Sequence, residues 1–242
     1  FLIKLLARKP RIPDPIPQKP DYSNLGGGTS VKATSKRFNK SQSGQGKTLV
    51  LDIETTGLPL NLNADLTDTK NWPRLVSIGW FLFDGKGDLI EEYYSVIKQK
   101  YKVPAAAEKV HGISKEISRI SGRELLEVLE KTLTAIHNST VVVGHNLEFD
   151  LKILQASFLA NGYALPFRTH QKICTMKSTV EFCAIPRGKG FKYPSLKELA
   201  EAAFPSGHRL SGASLHNSKV DAELTAMCYF KLYATIQRNK RY

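Results

Sequence analysis

The seven-residue run Thr48–Glu54 (TLVLDIE) constrains this 242-residue chain more than any other segment. A short, continuous apolar run of this kind predicts a buried strand. Side chains alternate along a strand, so Asp52 and Glu54 share one face. Two neighbouring carboxylates repel, and burying them without compensation is costly. The strand must therefore end at an exposed edge or at a site that supplies positive charge. Thr55-Thr56-Gly57 follows at once, and these small groups admit close backbone approach and offer hydroxyl and amide donors.

The pattern around this strand predicts an α/β sheet of mixed direction covered by helices. Leu75–Asp84 and Leu89–Ile97 read as a second and third strand. The Asp84-Gly85-Lys86-Gly87 turn joins them as an antiparallel hairpin. Pro104–Val110 and Arg123–His137 read as helices, the latter with Leu126, Leu129, Leu133 and Ile136 on one face. Val141–Gly144 is a fourth buried strand. Leu147–Asn161 is a helix with Leu147, Leu151, Leu154 and Phe158 on its apolar stripe, closed by Gly162. Ile173–Thr179 is ambiguous. Ser195–Ala203 is helical, and Asn217 caps a last helix reaching Gln237, with Val220, Leu224 and Met227 facing inward.

Two further acids fall at strand–helix or loop–helix junctions. Asp150, in His145-Asn146-Leu147-Glu148-Phe149-Asp150, follows the strand Val141–Val143 directly. In α/β sheets ligands gather beyond the carboxyl ends of strands. Asp221 lies one turn into the last helix, and His216 stands just before that helix. Four converging carboxylates carry about −4 when ionised, which two divalent cations would balance. An all-oxygen set suits Mg²⁺ or Mn²⁺ rather than zinc. Two such ions can clamp the attacking and leaving oxygens of a phosphodiester displacement, with His216 deprotonating the attacking water.

The order Asp52-x-Glu54, His145-Asn146-x-x-Phe149-Asp150, His216-x-x-x-x-Asp221 resembles the DnaQ-like 3′–5′ exonuclease family in its DEDDh branch. The likeness spans roughly residues 48–236 and includes the polymerase-proofreading and three-prime repair members. It implies a ribonuclease H-like fold with a five-stranded mixed sheet flanked by helices, and hydrolysis of nucleic acid to nucleoside 5′-monophosphates. Asp52 would bridge two metals, and Glu54 and Asp221 would hold the nucleophile-side ion. Asp150 would support the second ion, and His216 would be the general base. Thr55, Thr56, Gly57 and Leu58 resemble the segment that cradles the terminal nucleotide. His111 resembles a position near the terminal sugar and phosphate, and Asn146 and Phe149 a pocket lining. Phe149 suits core packing equally well. Thr55-Thr56 after Glu54 favours DNA over RNA by analogy. That points to a freestanding exonuclease acting on single strands or frayed ends. A polymerase proofreading subunit, an RNA-trimming enzyme and a catalytically silent nucleic-acid-binding scaffold are the alternatives.

Charge divides the chain unevenly. The formal net charge is +13, of which residues 1–47 carry +8. That stretch holds five prolines between positions 10 and 20, then Gly26-Gly27-Gly28 and a Ser/Gly/Gln tract, and reads as an arm or linker preceding a catalytic domain at 48–242. It could be a plain tether or a contact for nucleic acid, anionic lipid or a partner such as a polymerase. Phe1–Ala7 lacks the features of a signal peptide, and the non-Met start suggests processing from something longer. No apolar run is long enough to span a bilayer. Cys174, Cys183 and Cys228 are odd in number and show no CxxC spacing, which points to a reducing, cytoplasmic setting. Trp72 could stack on a base or pin its own loop. The basic stretch Arg187–Tyr193 suits a strand-guiding loop or a solvated one. His145 reads as structural, and His137, His170 and His208 as surface or packing residues.

Overall fold

A computed structural model describes residues 46–205 and 216–238. Residues 1–45, which hold almost all of the basic arm, and His208 lie outside the described residues. The elements run β1 (Thr48–Thr55), β2 (Leu75–Phe83), β3 (Leu89–Val96), α1 (Ala105–His111), α2 (Lys115–Ser121), α3 (Leu125–His137), β4 (Val141–Gly144), α4 (Leu147–Ala160) and β5 (Gln171–Cys174). There follow α5 (Thr175–Ser178), α6 (Val180–Cys183), β6 (Pro186–Arg187), β7 (Gly190–Phe191), α7 (Leu196–Ala203), α8 (Ser218–Lys231) and α9 (Tyr233–Arg238). The main sheet has five strands in the order β3-β2-β1-β4-β5. β1, β2 and β3 pair antiparallel, while β1, β4 and β5 pair parallel. The fold is the expected α/β architecture, a five-stranded mixed sheet flanked by helices.

Period-two alternation along β1 sorts its side chains between two helical layers. Leu49, Leu51 and Ile53 join Ile78, Trp80 and Leu82 against residues of α3 and α4. Val50 joins Phe81, Phe83, Val141 and Val143 against α7 and α8. Asp52 and Glu54 continue the Val50 series, so they face the α8 side of the sheet. β1 is placed centrally and outlasts β4, whose pairing with it ends at Val50–Val143. Its carboxyl end therefore projects where strand order reverses.

Several elements depart from the sequence reading. The helix α2 has no counterpart there; Ser114 caps it by accepting from the Ile117 N–H at 3.1 Å. The ambiguous segment is the edge strand β5 followed by one turn of helix. Residues 186–191 form a small hairpin. The last helix is two helices, broken at Leu232. On α3 the buried stripe is Val128, Leu129, Thr132, Ala135 and Ile136, and Leu126 is half exposed. α8 is buried on most sides through Ala222, Leu224, Ala226, Cys228 and Tyr229, whereas Val220 and Met227 are only partly covered. A helix sunk into the core shows no one-sided stripe, so periodicity misplaces its face.

Candidate active site

β1 delivers Asp52 and Glu54, and β2 determines what can lie above them. In the β1–β2 register Asp52 stands opposite Gly79, and Glu54 opposite Ser77. A Cβ on Gly79 would collide with the Ser218 carbonyl and the Lys219 Cα, so only glycine lets the start of α8 lie this close to the sheet. Ser77 Oγ and Ser218 Oγ hydrogen-bond at 2.8 Å in the buried contact. Asn217 caps α8 by accepting from the Lys219 and Val220 N–H groups at 3.0 and 3.3 Å. Ser218 and Asp221 are three residues apart and share one side of α8. Docking Ser218 on Ser77 therefore aims Asp221 at Asp52 and Glu54. The sequence reading missed Gly79, Ser77 and Ser218. The one signal was a glycine inside an apolar strand.

Asp52, Glu54 and Asp221 each bring a carboxylate oxygen to within 4.8 Å of the others. At an effective dielectric of about 20, each ionised pair at that spacing repels by about 3 kcal/mol. Burial first, and then this repulsion, set the protonation of the site. Desolvation, then the charges of Asp150, Asp221 and Glu54, hold the Asp52 carboxyl well above the usual range. Desolvation, then Asp221, push Glu54 up to about 8. Burial also raises Asp221, opposed by the His216 N–H and the His216 imidazole. One Asp221 oxygen accepts from the His216 N–H at 3.1 Å, while the other is buried with no hydrogen-bond partner. An orphaned carboxylate oxygen amid like charges, in an all-oxygen donor set, fits a hard divalent cation. The donor set therefore fits the divalent-metal dependence that the family implies.

Asp150 is held differently. It is 3% exposed, and its Oδ1 accepts from the Ile53 N–H at 3.1 Å. Beyond the end of β4 that N–H has no parallel strand to pair with, so the α4 carboxylate takes it. Burial raises Asp150, and this backbone bond works against the rise. Asp150 thus borders the three-carboxylate cluster and contributes to its field from the opposite helical layer.

His216 is exposed, with φ 73°, and leads directly into α8. Its backbone N–H bonds Asp221, which sets the residue beside the cluster, and its charge lowers both Asp221 and His111. His111 is buried at the end of α1. Its Nδ1 accepts from the Ile113 N–H at 3.0 Å, so the neutral ring carries its proton on Nε2, which has no hydrogen-bond partner. Burial holds this imidazole below its usual range, the Thr55 backbone and Glu108 oppose that, and His216 adds to it. His111 and His216 therefore lie within each other's electrostatic reach, near Thr55.

The remaining expected residues divide into two groups. Thr55 Oγ1 donates to the Gly57 carbonyl at 2.6 Å, nothing stands within 4 Å of where a Gly57 side chain would begin, and Leu58 is 61% exposed. This leaves an open ledge beside the acids. Asn146 is exposed with φ 66°, a left-handed turn that asparagine tolerates, and it starts α4. Phe149 packs against the core cluster on the α4 face. Trp72 is buried and donates from Nε1 to the Asp65 carbonyl at 2.9 Å, so it pins its loop and is not a base platform. His145 bonds to Thr175 Oγ1 and the Pro194 carbonyl, each at 3.0 Å, and burial drives it down to about 4. It is a neutral clip joining the end of β4 to the approach of α7. His170 bonds the Ile136 carbonyl, and His137 is exposed. The three cysteines are free.

Among known proteins, the exonuclease family model (RNase_T) matches residues 49–229. The chain is 29% identical over 187 residues to the DNA polymerase III subunit epsilon of Rickettsia prowazekii, covering 76% of this chain and 72% of the relative. The epsilon subunit of Rickettsia typhi matches to the same extent. Crystal structures of Escherichia coli exonuclease I share the fold. The complex with a dA16 oligonucleotide superposes with a TM-score of 0.61 at 16% identity, over 82% of this chain and 43% of that one. The zinc-bound form of its single-stranded DNA complex gives 0.62. This chain spans less than half the length of those exonuclease I chains. No helix among the described residues is long and apolar enough to cross a membrane. With the family model covering β1 through most of α8 and the motif acids converging on one end of the sheet, this chain belongs to the DnaQ-like 3′–5′ exonuclease family.

Proposed function

We propose that the chain hydrolyses DNA from the 3′ end, at single strands or frayed termini, releasing nucleoside 5′-monophosphates. The observation that carries this reading is the meeting of Asp52, Glu54 and Asp221 within 4.8 Å, with Asp150 behind them and His216 beside them. Asp52, Glu54 and Asp221 would hold metal directly, and Asp150 would support a second ion while anchoring β1 through Ile53. Two bound Mg²⁺ ions, or Mn²⁺ in their place, would polarise the phosphoryl and water oxygens and offset the carboxylate charge.

The other roles belong to the chain's own groups. Thr55, Thr56 and Gly57 would position the terminal nucleotide on the open ledge, with Leu58 against its base and His111 toward its sugar and phosphate. Asn146 and Phe149 would line the same pocket. The exposed His216 imidazole would take the proton from the attacking water. The new P–O bond forms on the terminal nucleotide as the bond to the upstream 3′ oxygen breaks, so the shortened strand regains a 3′-hydroxyl. Three free thiols support a reducing, cytoplasmic setting.

The test uses 5′-labelled and 3′-labelled DNA and RNA single strands with Mg²⁺, Mn²⁺ or EDTA. Stepwise loss from the 3′ end, stopped by EDTA and by Asp52→Ala, is expected. Cleavage from the 5′ end, or activity surviving Asp52→Ala, would overturn the reading, and the RNA lanes decide the sugar preference. A second reading, polymerase proofreading, is favoured by the likeness to polymerase III epsilon subunits. It requires that a mispaired 3′ terminus on duplex DNA be removed faster than a paired one.

A further inference from the structure

A groove of about 690 Å³ is lined by Arg74, a residue hydrogen-bonded to Thr56 of the Thr55–Leu58 ledge. It runs between the loop before β2, the segment after β3, and the helices α3 and α4. Its near end is Arg74, whose backbone is locked to the ledge. The Thr56 N–H donates to the Arg74 carbonyl at 2.9 Å, and the Arg74 N–H donates to Thr56 Oγ1 at 3.0 Å. The Arg74 side chain lies over the Tyr101 ring, 4.1 Å from its centroid. Tyr101 is 59% exposed although it is a large aromatic side chain. Lys98 and Lys100 also line the groove. Lys98 is paired with Glu124 at 3.0 Å, whereas Arg74 and Lys100 have no carboxylate partner among the described residues.

This arrangement has the parts that single-strand binding requires. Sequence-tolerant strand binding combines a positive track for phosphates with exposed aromatic rings for bases, and arginine serves both by charge and by stacking. Arg74 is joined by two hydrogen bonds to the ledge, which places the near end of the groove next to the nucleotide that the ledge would hold. We propose that the Arg74–Tyr101 groove receives the nucleotides immediately upstream of the 3′ terminus, with Arg74 contacting a phosphate and Tyr101 stacking on a base. The occupant is thus the single-stranded tail of the substrate itself. The proposal rests on the nucleic-acid reading of the site, and the test separates the two.

Binding of fluorescent dT2 and dT12 is measured by anisotropy in Ca²⁺, with salt titrations, for the wild type, Arg74→Ala, Tyr101→Ala and Tyr101→Phe. Parallel lanes use U2 and U12. The preference for the 12-mer over the dimer should fall about tenfold in Arg74→Ala and in Tyr101→Ala, and should be retained in Tyr101→Phe. The slope of log affinity against log salt should become shallower by about 0.7 in Arg74→Ala, the value for one phosphate contact on a single strand. Equal loss for dimer and 12-mer, or 12-mer affinities within twofold of the wild type in both alanine variants, overturns the proposal. In that case the pair only pins the segment after β3, and a lowered melting temperature with intact binding would report it. Hydrolysis in Mg²⁺ is scored separately. A wild type that binds but does not cut refutes the exonuclease reading, while the binding arms still decide the groove.

Discussion

Glu54 shows at the scale of one residue how the cluster couples to solution conditions. Its carboxyl is raised to about 8 in the folded chain, against about 4.5 for an unperturbed glutamate. The folded, metal-free state then holds a proton across that interval which the unfolded state has lost. Stability is therefore greatest below about pH 4.5 in this contribution and declines as pH rises through about 8. A divalent cation should reverse the decline, because it replaces the proton. We expect Mg²⁺ or Mn²⁺ to raise the melting temperature more at pH 8.5 than at pH 6, and Glu54→Gln to flatten the metal-free profile. A metal-induced shift independent of pH would contradict this account. At His216 the expectation is kinetic. His216→Ala should lower turnover by about 10² to 10⁴, the usual value of a general base, with a much smaller change in strand affinity. Comparing kcat with the dissociation constant of a short oligonucleotide checks it.

The crossing of β2 by α8 sets the site's dimensions at the scale of elements. Gly79 allows the approach, Ser77 and Ser218 register it, and Asn217 starts the helix at the right place. A methyl group at position 79 meets backbone atoms, which cannot rotate away as a side-chain tip can. Gly79→Ala should therefore cost about 1–3 kcal/mol of stability, as overpacking does, and displace Asp221 from Asp52 and Glu54. Chemical denaturation reports the first effect. The second appears as a loss of turnover in the fraction that remains folded. A fully active, equally stable Gly79→Ala variant would show that α8 can settle elsewhere. The helix on the opposite face, α4, has a separate role, in which Asp150 finishes the hydrogen bonding of β1 where β4 stops.

At the scale of the whole molecule, charge and chemistry are segregated. The net +8 of residues 1–47 stands apart in sequence from the acids. The fold begins slightly earlier than β1, since the Lys47 carbonyl accepts from the Thr140 and Val141 N–H groups at 2.9 and 3.3 Å. Deleting residues 1–45 should therefore leave dinucleotide hydrolysis within about twofold of the full chain, and loss of that activity would assign the arm a part in the chemistry. The acids themselves could be named from the primary structure. Asp52 and Glu54 interrupt an apolar strand at spacing two, while Asp150 and Asp221 open helices after a strand or a cap, and those patterns are local. The three-strand start and the α4 stripe were legible for the same reason. The unequal roles of the acids were not: three share a ligand-sized space, and the fourth is tied to the Ile53 N–H. Nor were the orphaned His111 Nε2, the buried face of α8 or the Arg74–Tyr101 pair. Each depends on which residues meet across long stretches of chain, and packing decides that. Local periodicity therefore determined the strands and the residue types available for chemistry, while tertiary contacts decided their distances, their partners and their proton affinities.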